Sequence, residues 1–238
     1  MSVTRIISAL IVMMVVVGPN VSTAAPLFYS GKEIRATVLD AATGKPVEGV
    51  VVVAVWQLTA ISGEGPRLQV GEAVTDAAGA FFMPSWGPKA PPPLTEAQSN
   101  FPYVVVFKHG YVPAKLHNAP KSEFARIRSL PAISARGAVG AAGYEGTPSD
   151  TVQESVWNGM SIAIEPFRGT PEEWFHELDF ASDYVLWQDA RHTRRLFEAL
   201  AAERAYFSSH PVDPQKVTKV RFQRVFNRID DRLRGRTD

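Results

Sequence analysis

Apolar and polar residues alternate along residues 34–38 (Ile-Arg-Ala-Thr-Val) with the two-residue period of a β-strand. Residues 50–55 have no polar interruption, which is typical of a strand covered on both faces. Five of those six residues are Val, and β-branched side chains favour a strand over a helix. Residues 101–107 and 160–167 also have strand-like patterns. The hydrophobic pattern therefore predicts a β-rich unit.

Turn and loop sequences separate the predicted strands. Residues 43–46 read Thr-Gly-Lys-Pro, in which Gly accepts a positive φ and Pro fixes φ. Residues 76–79 read Asp-Ala-Ala-Gly and predict a hairpin turn. Two longer stretches have the composition of loops: residues 84–102 are rich in Pro, and residues 134–150 have Gly at every third position from 137 to 146.

The order of these strands and turns is similar to that of a known module. Residues 43–52 follow the pattern Thr-Gly-x-Pro-Val-x-Gly-Val-Val-Val, and residues 75–81 follow Thr-Asp-x-x-Gly-x-Phe. Residues 107–111, Phe-Lys-His-Gly-Tyr, look like a Gly-Tyr corner after a late strand. The chain thus resembles the carboxypeptidase regulatory-like domain over about residues 31–113. The resemblance implies a transthyretin-like (prealbumin-like) β-sandwich, to which we assign residues 27–167. It implies no chemistry, because this module accompanies many unrelated proteins.

A helical region is predicted to follow, over residues 170–236. Residues 170–173, Thr-Pro-Glu-Glu, form a capping box with Pro at the first helical position. We expect two helices before residue 210, with a bend near residues 182–183 or 188–189. The second of these helices is predicted to end at a Pro-Val-Asp-Pro segment, residues 211–214. A last helix should begin there, with Asp213 as its N-cap. That helix should bury one apolar face, formed by Phe222, Val225, Phe226, Ile229 and Leu233.

The N-terminus has the three parts of a secretory signal peptide. Arg5 supplies a positive start, and residues 6–17 form an uninterrupted apolar run of 12 residues. Small residues up to Ala24 suit cleavage after Ala24, with cleavage after Ala25 as the alternative. A membrane-spanning helix needs about 20 apolar residues. We therefore expect residues 1–24 to be removed and the mature chain to have no transmembrane span.

The amino-acid composition limits the cellular compartment in which the protein is expected and the kinds of catalytic or metal site that it can contain. The chain has no cysteine, which excludes a thiolate nucleophile, Cys-ligated zinc and a thiol-linked lipid anchor. Small secreted eukaryotic domains usually carry disulfides, so an exported chain without them fits a bacterial periplasmic or secreted protein better. The formal net charge is +1, but residues 214–238 hold eight Lys or Arg against three Asp. The rest of the mature chain is correspondingly acidic.

The last predicted helix carries arginines along the flank of its apolar face. They are Arg221, Arg224, Arg228 and Arg232. Such a stripe can bind an anionic surface, lipopolysaccharide or an acidic partner protein. It can equally dock on the acidic body of the same chain or remain a solvated helix face. Nucleic acid is not an expected partner of an exported chain.

Catalytic motifs of enzymes associated with this fold are missing from the sequence. The His-x-x-Glu zinc motif of metallocarboxypeptidases does not occur at any of the five His residues. The Tyr-Arg-Gly-Ser end of transthyretin-like hydrolases is replaced by Arg-Gly-Arg-Thr at residues 234–237. His176 and Asp179, with Asp183 one turn on, have the spacing of a metal site or an acid–base pair. A polar helix face accounts for the same spacing.

An aromatic patch is the remaining candidate surface. Trp86, Tyr103 and Tyr111 could bind a glycan or a Pro-rich partner if they lie together and exposed. The alternative is that the two Tyr residues are core and Trp86 covers a loop.

These observations favour a non-enzymatic accessory or interaction protein of the bacterial cell envelope. The residues indicate no cofactor, and the expected partner is an envelope protein, a glycan or an anionic surface. The alternative is a ligand-binding protein or metal-dependent enzyme with a site between sandwich and helices. We also expect residues 26–168 to fold without the helices, because the β unit has its own turns and apolar strands.

Overall fold

The computed structural model describes residues 26–60, 63–98, 101–135, 150–186 and 192–235. The expected signal peptide, the Gly-containing residues 136–149 and the possible bend at residues 188–189 lie outside the described residues. The described chain is mostly β-sheet, with a few helices, three of them after the last strand.

The described residues form twelve strands and four helices. In chain order they are β1 (Tyr29–Gly31), β2 (Ile34–Asp40), β3 (Val51–Ala60), β4 (Gly63–Val74), β5 (Ala80–Met83), β6 (Trp86–Lys89), β7 (Thr95–Ala97), β8 (Tyr103–Phe107), β9 (Ala114–His117), α1 (Lys121–Arg128), β10 (Ile133–Ser134), β11 (Val152–Gln153), β12 (Ser161–Ile164), α2 (Pro171–Leu186), α3 (Arg194–Ser209) and α4 (Lys219–Leu233).

The strands form three sheets. The first has the order β10-β12-β2-β5, in which β12 runs parallel to β2. The second has the order β4-β3-β8-β9, and β7 also pairs with β3. A small third sheet, β11-β1-β6, contains the first described strand. The first two sheets share one apolar core, which gives a sandwich-like arrangement.

Strand β3 lies between two cores, as its uninterrupted apolar sequence predicts. Val50, Val52 and Ala54 belong to the core between the two sheets. Val53 and Val55 point the other way, into a second core with residues of α2, α3 and α4. This alternation arises because successive side chains of a strand point to opposite faces. The helices therefore cover the outer face of the second sheet.

Local turn chemistry agrees with the sequence at several points. Gly44 and Gly79 adopt positive φ angles of 68° and 69°. At Gly79 an added Cβ would lie 2.5 Å from the carbonyl oxygen of Val38, so the turn requires Gly. The predicted capping box is present: Thr170 N donates to Glu173 Oε2 at 2.8 Å, and Glu173 N donates to Thr170 Oγ1 at 3.3 Å.

Other local predictions were wrong. Asp213 does not cap the last helix; its side chain accepts from Gln215 N in a separate turn. Thr218 is the N-cap instead, accepting from Arg221 N at 3.3 Å. Helix α2 continues through residues 182–183, where a bend was one of two predicted positions. The stretch 84–102 contains the short strands β6 and β7, and helix α1 was not predicted.

Within the described ranges, no helix combines the length and apolar character needed to cross a membrane.

Candidate interaction surfaces

Two arginines of the predicted stripe bind one carboxylate of the same chain. Arg221 donates to Asp179 Oδ2 from Nε at 3.0 Å and from Nη2 at 2.7 Å. Arg228 Nη2 donates to Asp179 Oδ1 at 3.0 Å. Asp179 lies on α2, and its side chain is only 13% exposed. These contacts join α4 to α2.

The other two arginines of the stripe are placed differently. Arg224 is exposed on α4, and Arg232 is half-buried near its end. A further arginine outside the predicted stripe, Arg204 of α3, pairs with Asp230 of α4 at 3.0 Å. The stripe is therefore not a uniform solvent-facing row.

The proposed metal-site residues on α2 do not form a ligand cluster with one another. His176 is exposed, whereas the Asp179 carboxylate accepts from two guanidinium groups. The side chain of Asp183 lies outside the described part of the structure. Across the described parts of the chain, no group of three or more His, Asp or Glu side chains could hold a metal ion.

The three predicted patch aromatics lie in different surroundings. Trp86 packs edge-on against Trp56, with ring centroids 5.5 Å apart. Tyr103 is buried in the core under the helices. Tyr111 is partly buried against the other core and donates through its hydroxyl to Asp40 Oδ2 at 2.9 Å. The structure does not bring these rings into one exposed patch.

A buried carboxylate at the junction of sandwich and helices was missed by the sequence reading. Glu203 of α3 is 3% exposed and accepts from Trp174 Nε1 of α2 at 2.8 Å. His109 Nδ1, in the turn after β8, lies 2.9 Å from Glu203 Oε2. One signal could have revealed this cluster. Glu203 occupies the same helix stripe as Leu196, Leu200 and Phe207, where an apolar residue is expected.

An open groove of about 720 Å³ lies at one side of the sandwich. Its walls come from β2, β5 and β12 on one side, and from β4 and the start of α3 on the other. The Arg35 guanidinium lies over the Phe82 ring, 4.1 Å from its centroid, and Phe82 is 45% exposed. Arg195 lines the opposite side. The groove thus carries an accessible ring and two guanidinium groups.

Glu72 also lines this groove, but its carboxylate is hydrogen-bonded to the backbone of the same chain. Its two carboxylate oxygens accept from Arg195 N at 3.0 Å and from Leu196 N at 2.8 Å, at the N-terminus of α3. Burial raises the pKa of Glu72 above its usual value, against the opposing effect of these backbone hydrogen bonds. Glu72 therefore fixes α3 to the edge of the second sheet.

Comparison with known sequences adds no relative. No protein-family model matches the chain, and no curated protein sequence matches it significantly.

Proposed function

We propose that this chain is an exported, non-enzymatic accessory protein of the bacterial cell envelope that binds a partner through the open groove. Its sandwich would be a carboxypeptidase regulatory-like, transthyretin-like module that serves as a scaffold. The C-terminal helices would complete that scaffold by covering one sheet.

Local geometry supports the family part of this proposal. The two resembling turns contain Gly44 and Gly79 with the positive φ that their sequences require. The Gly-Tyr corner is fixed by the hydrogen bond from Tyr111 to Asp40, the last residue of β2. The residues that carry the resemblance therefore occupy turns and a corner that define the sandwich.

One observation carries the choice of surface. The Arg195 guanidinium is exposed in the groove, where its charge acts on the Glu72 carboxylate but forms no salt bridge with a described residue. By contrast, Arg221 and Arg228 bind Asp179. Guanidinium groups in a groove beside an exposed aromatic ring are suited to contacts with a partner. The groove is therefore the best-supported binding surface.

Site-specific photo-crosslinking tests this function in the intact cell. A photoreactive residue replaces Phe82 in the groove, and the matched control replaces Ala125, which is exposed on α1. We expect position 82 to give a covalent adduct with a defined envelope protein, and position 125 to give none. The same adducts from both positions, or none from position 82, would contradict the proposal.

Export is tested separately by the mass of the mature protein. Protein recovered from the envelope or medium should begin at Ala25, because residues 1–24 have the pattern of a cleaved signal. Exported material that still contains Arg5 would make the N-terminal segment an anchor.

A second candidate is a ligand-binding protein or metal-dependent enzyme with its site between sandwich and helices. The observation that favours it is the His109–Glu203 pair, because a carboxylate that orients an imidazole is a common arrangement of a general base. The side chain of His109 is 55% exposed, so solutes can reach it. A metal that co-purifies with the protein and is lost in the His109→Ala variant would favour this candidate over an accessory role.

A further inference from the structure

Two edge strands border the groove. Within the described residues, β4 is hydrogen-bonded only to β3, and β5 only to β2. Residues 72–74 of β4 and residues 80–82 of β5 line the groove. An unpaired strand edge is a template for an additional strand.

The hydrogen-bond alternation shows which groups of β4 point into the open side. Thr75 N donates to Val50 O at 3.0 Å, and Val51 is opposite Val74. In an antiparallel pair, alternate residues exchange both hydrogen bonds with the partner strand. Residues 71 and 73 therefore face β3, and the N–H and C=O groups of Glu72 and Val74 face away from it.

The same reasoning applies to β5. Val38 N donates to Gly79 O at 2.8 Å, so residues 79, 81 and 83 exchange bonds with β2. The backbone N–H and C=O of Ala80 point away from β2, but both are hydrogen-bonded to Asp76. Ala80 N donates to the Asp76 carboxylate, and Asp76 N donates to Ala80 O. The N–H and C=O of Phe82 point toward the open side.

The side chains along this part of β4 leave the edge open to a partner. Natural edges are commonly protected by Lys, Pro, bulges or covering elements. Residues 70–74 read Val-Gly-Glu-Ala-Val. The single charged side chain, Glu72, is turned to the N-terminus of α3 and held there by two hydrogen bonds.

Two exposed guanidinium groups and two carboxylates line the groove, and the guanidinium groups are the ones that an acidic partner would contact. Both acidic side chains in the lining, Glu72 and Asp76, accept backbone hydrogen bonds of this chain. The exposed guanidinium groups of Arg35 and Arg195 lie on opposite walls; Arg35 pairs with the exposed Glu33, and the charge of Arg195 acts on Glu72. Carboxylates on an extended chain between these walls would meet a positive group on either side.

We propose that an extended acidic peptide segment binds in this groove as an extra strand on the edge of β4. Its backbone would pair with Glu72 and Val74, and its acidic side chains would contact Arg195 and Arg35. This inference rests on the proposed function and names the class of partner that the groove accepts: an unfolded or loop segment that alternates acidic and β-branched residues. Main-chain hydrogen bonds would supply the affinity, and the two arginines would supply selectivity for acidic side chains.

Fluorescence anisotropy with the full mature chain tests the inference. The probe is a labelled heptapeptide, Val-Glu-Val-Glu-Val-Glu-Val, and the first control replaces its Glu residues with Lys. The second control is the acidic peptide with alternate backbone amides N-methylated, which keeps the charge and removes the donors. We expect the acidic peptide to bind, and each control to bind at least about ten-fold more weakly.

Matched variants locate the binding. Arg195→Gln should weaken binding of the acidic peptide by about ten-fold, because it removes one charged hydrogen bond. Arg224→Gln makes the same charge change on the exposed face of α4 and should leave binding unchanged. Equal losses in the two variants, or equal affinity for the N-methylated peptide, would show non-specific ionic binding and overturn the inference. Absence of peptide binding also overturns it, even where photo-crosslinks from position 82 support the proposed function.

Discussion

His109 Nδ1 lies 2.9 Å from Oε2 of Glu203, across the junction between the sandwich and the helices. The two residues are 94 positions apart in the chain. Because Trp174 Nε1 donates to the same carboxylate, one buried group joins the turn after β8 to both α2 and α3. The aromatic rings of Trp174 and Tyr206 also lie beside the His109 ring, at centroid distances of 5.6 and 5.1 Å.

Replacing Glu203 should destabilise the protein. Glu203→Ala removes the acceptor of the buried Trp174 Nε1, and leaving a buried donor unsatisfied costs about 1–3 kcal/mol. Glu203→Gln keeps one acceptor oxygen and should lose less. The measurement is the free energy of unfolding from urea titration. Glu198→Ala is the matched control on α3, since the Glu198 side chain is 51% exposed and should change stability by less than about 0.5 kcal/mol. Equal effects at positions 203 and 198 would show that the junction does not depend on this carboxylate.

The arginines of α4 should contribute to stability unequally. The double variant Arg221→Gln, Arg228→Gln leaves the mostly buried Asp179 without its two guanidinium partners and should lower the free energy of unfolding by about 1–2 kcal/mol. Arg224→Gln should leave stability unchanged because Arg224 is exposed. The measurement is the melting temperature of each variant and of the wild type in thermal unfolding.

The same variants separate an internal role from binding to an anionic surface. Vesicles containing phosphatidylglycerol should bind wild-type protein and the double variant equally weakly. A salt-sensitive association that the double variant loses without a change in melting temperature would instead make α4 a membrane-contact surface.

Acid should destabilise the protein through His117. Burial lowers the pKa of His117 from 6.5 to about 4, and the nearby Lys115 cation acts in the same direction. The unfolded chain therefore takes up a proton below about pH 6.5, while the folded chain does so only near pH 4. Proton uptake favours unfolding in this window, so stability falls as the pH decreases from about 6.5 to 4.

The His117→Gln variant should lose this part of the pH dependence. Urea midpoints at about pH 7 and pH 4.5 should differ less for His117→Gln than for the wild type. His176→Gln is the control, because His176 is exposed on α2. A pH dependence that is the same in all three proteins would exclude His117 as its source.

Local features of the fold were predictable from the sequence because their causes are local. The capping box at residues 170–173 and the positive φ of Gly44 and Gly79 depend on neighbouring residues. The two cores around β3 follow from its uninterrupted Val-rich run. Parallel pairing of β12 with β2 depends instead on residues more than 100 positions apart, and no local pattern specifies the partner.

Candidate sites were harder to predict for the same reason. The sequence shows Asp179 and Arg221 as polar positions on two separate helices, and only the packing of α2 on α4 makes them a pair. The groove depends on which edges of β4 and β5 remain open, which is a property of the sheet order. The charge pattern of α4 made Arg221 and Arg228 visible in the sequence, whereas Arg195 was not assigned to a surface because the strands that form the groove with it are distant in the chain.

The last prediction concerns whether residues 26–168 fold without the helices, as the sequence leads us to expect. Residues 26–168 contain every strand that the structure describes, but removal of α2, α3 and α4 exposes the outer face of the second sheet, with Val53, Val55, Val105 and Phe107. Apolar patches of this kind promote association. We therefore expect the truncated protein 26–168 to aggregate and to lack a cooperative thermal transition.

A matched variant separates loss of solubility from loss of the fold. Val53→Thr, Val55→Thr and Val105→Thr in the truncated protein keep β-branched side chains while making the uncovered face more polar. If the core between the sheets is sufficient, this variant should be monomeric in size-exclusion chromatography and melt cooperatively. If it is still unfolded, the helices are needed to form the sandwich itself. If the truncated protein 26–168 without these substitutions is monomeric and melts cooperatively, the sandwich folds on its own. The second core would then stabilise only the helices.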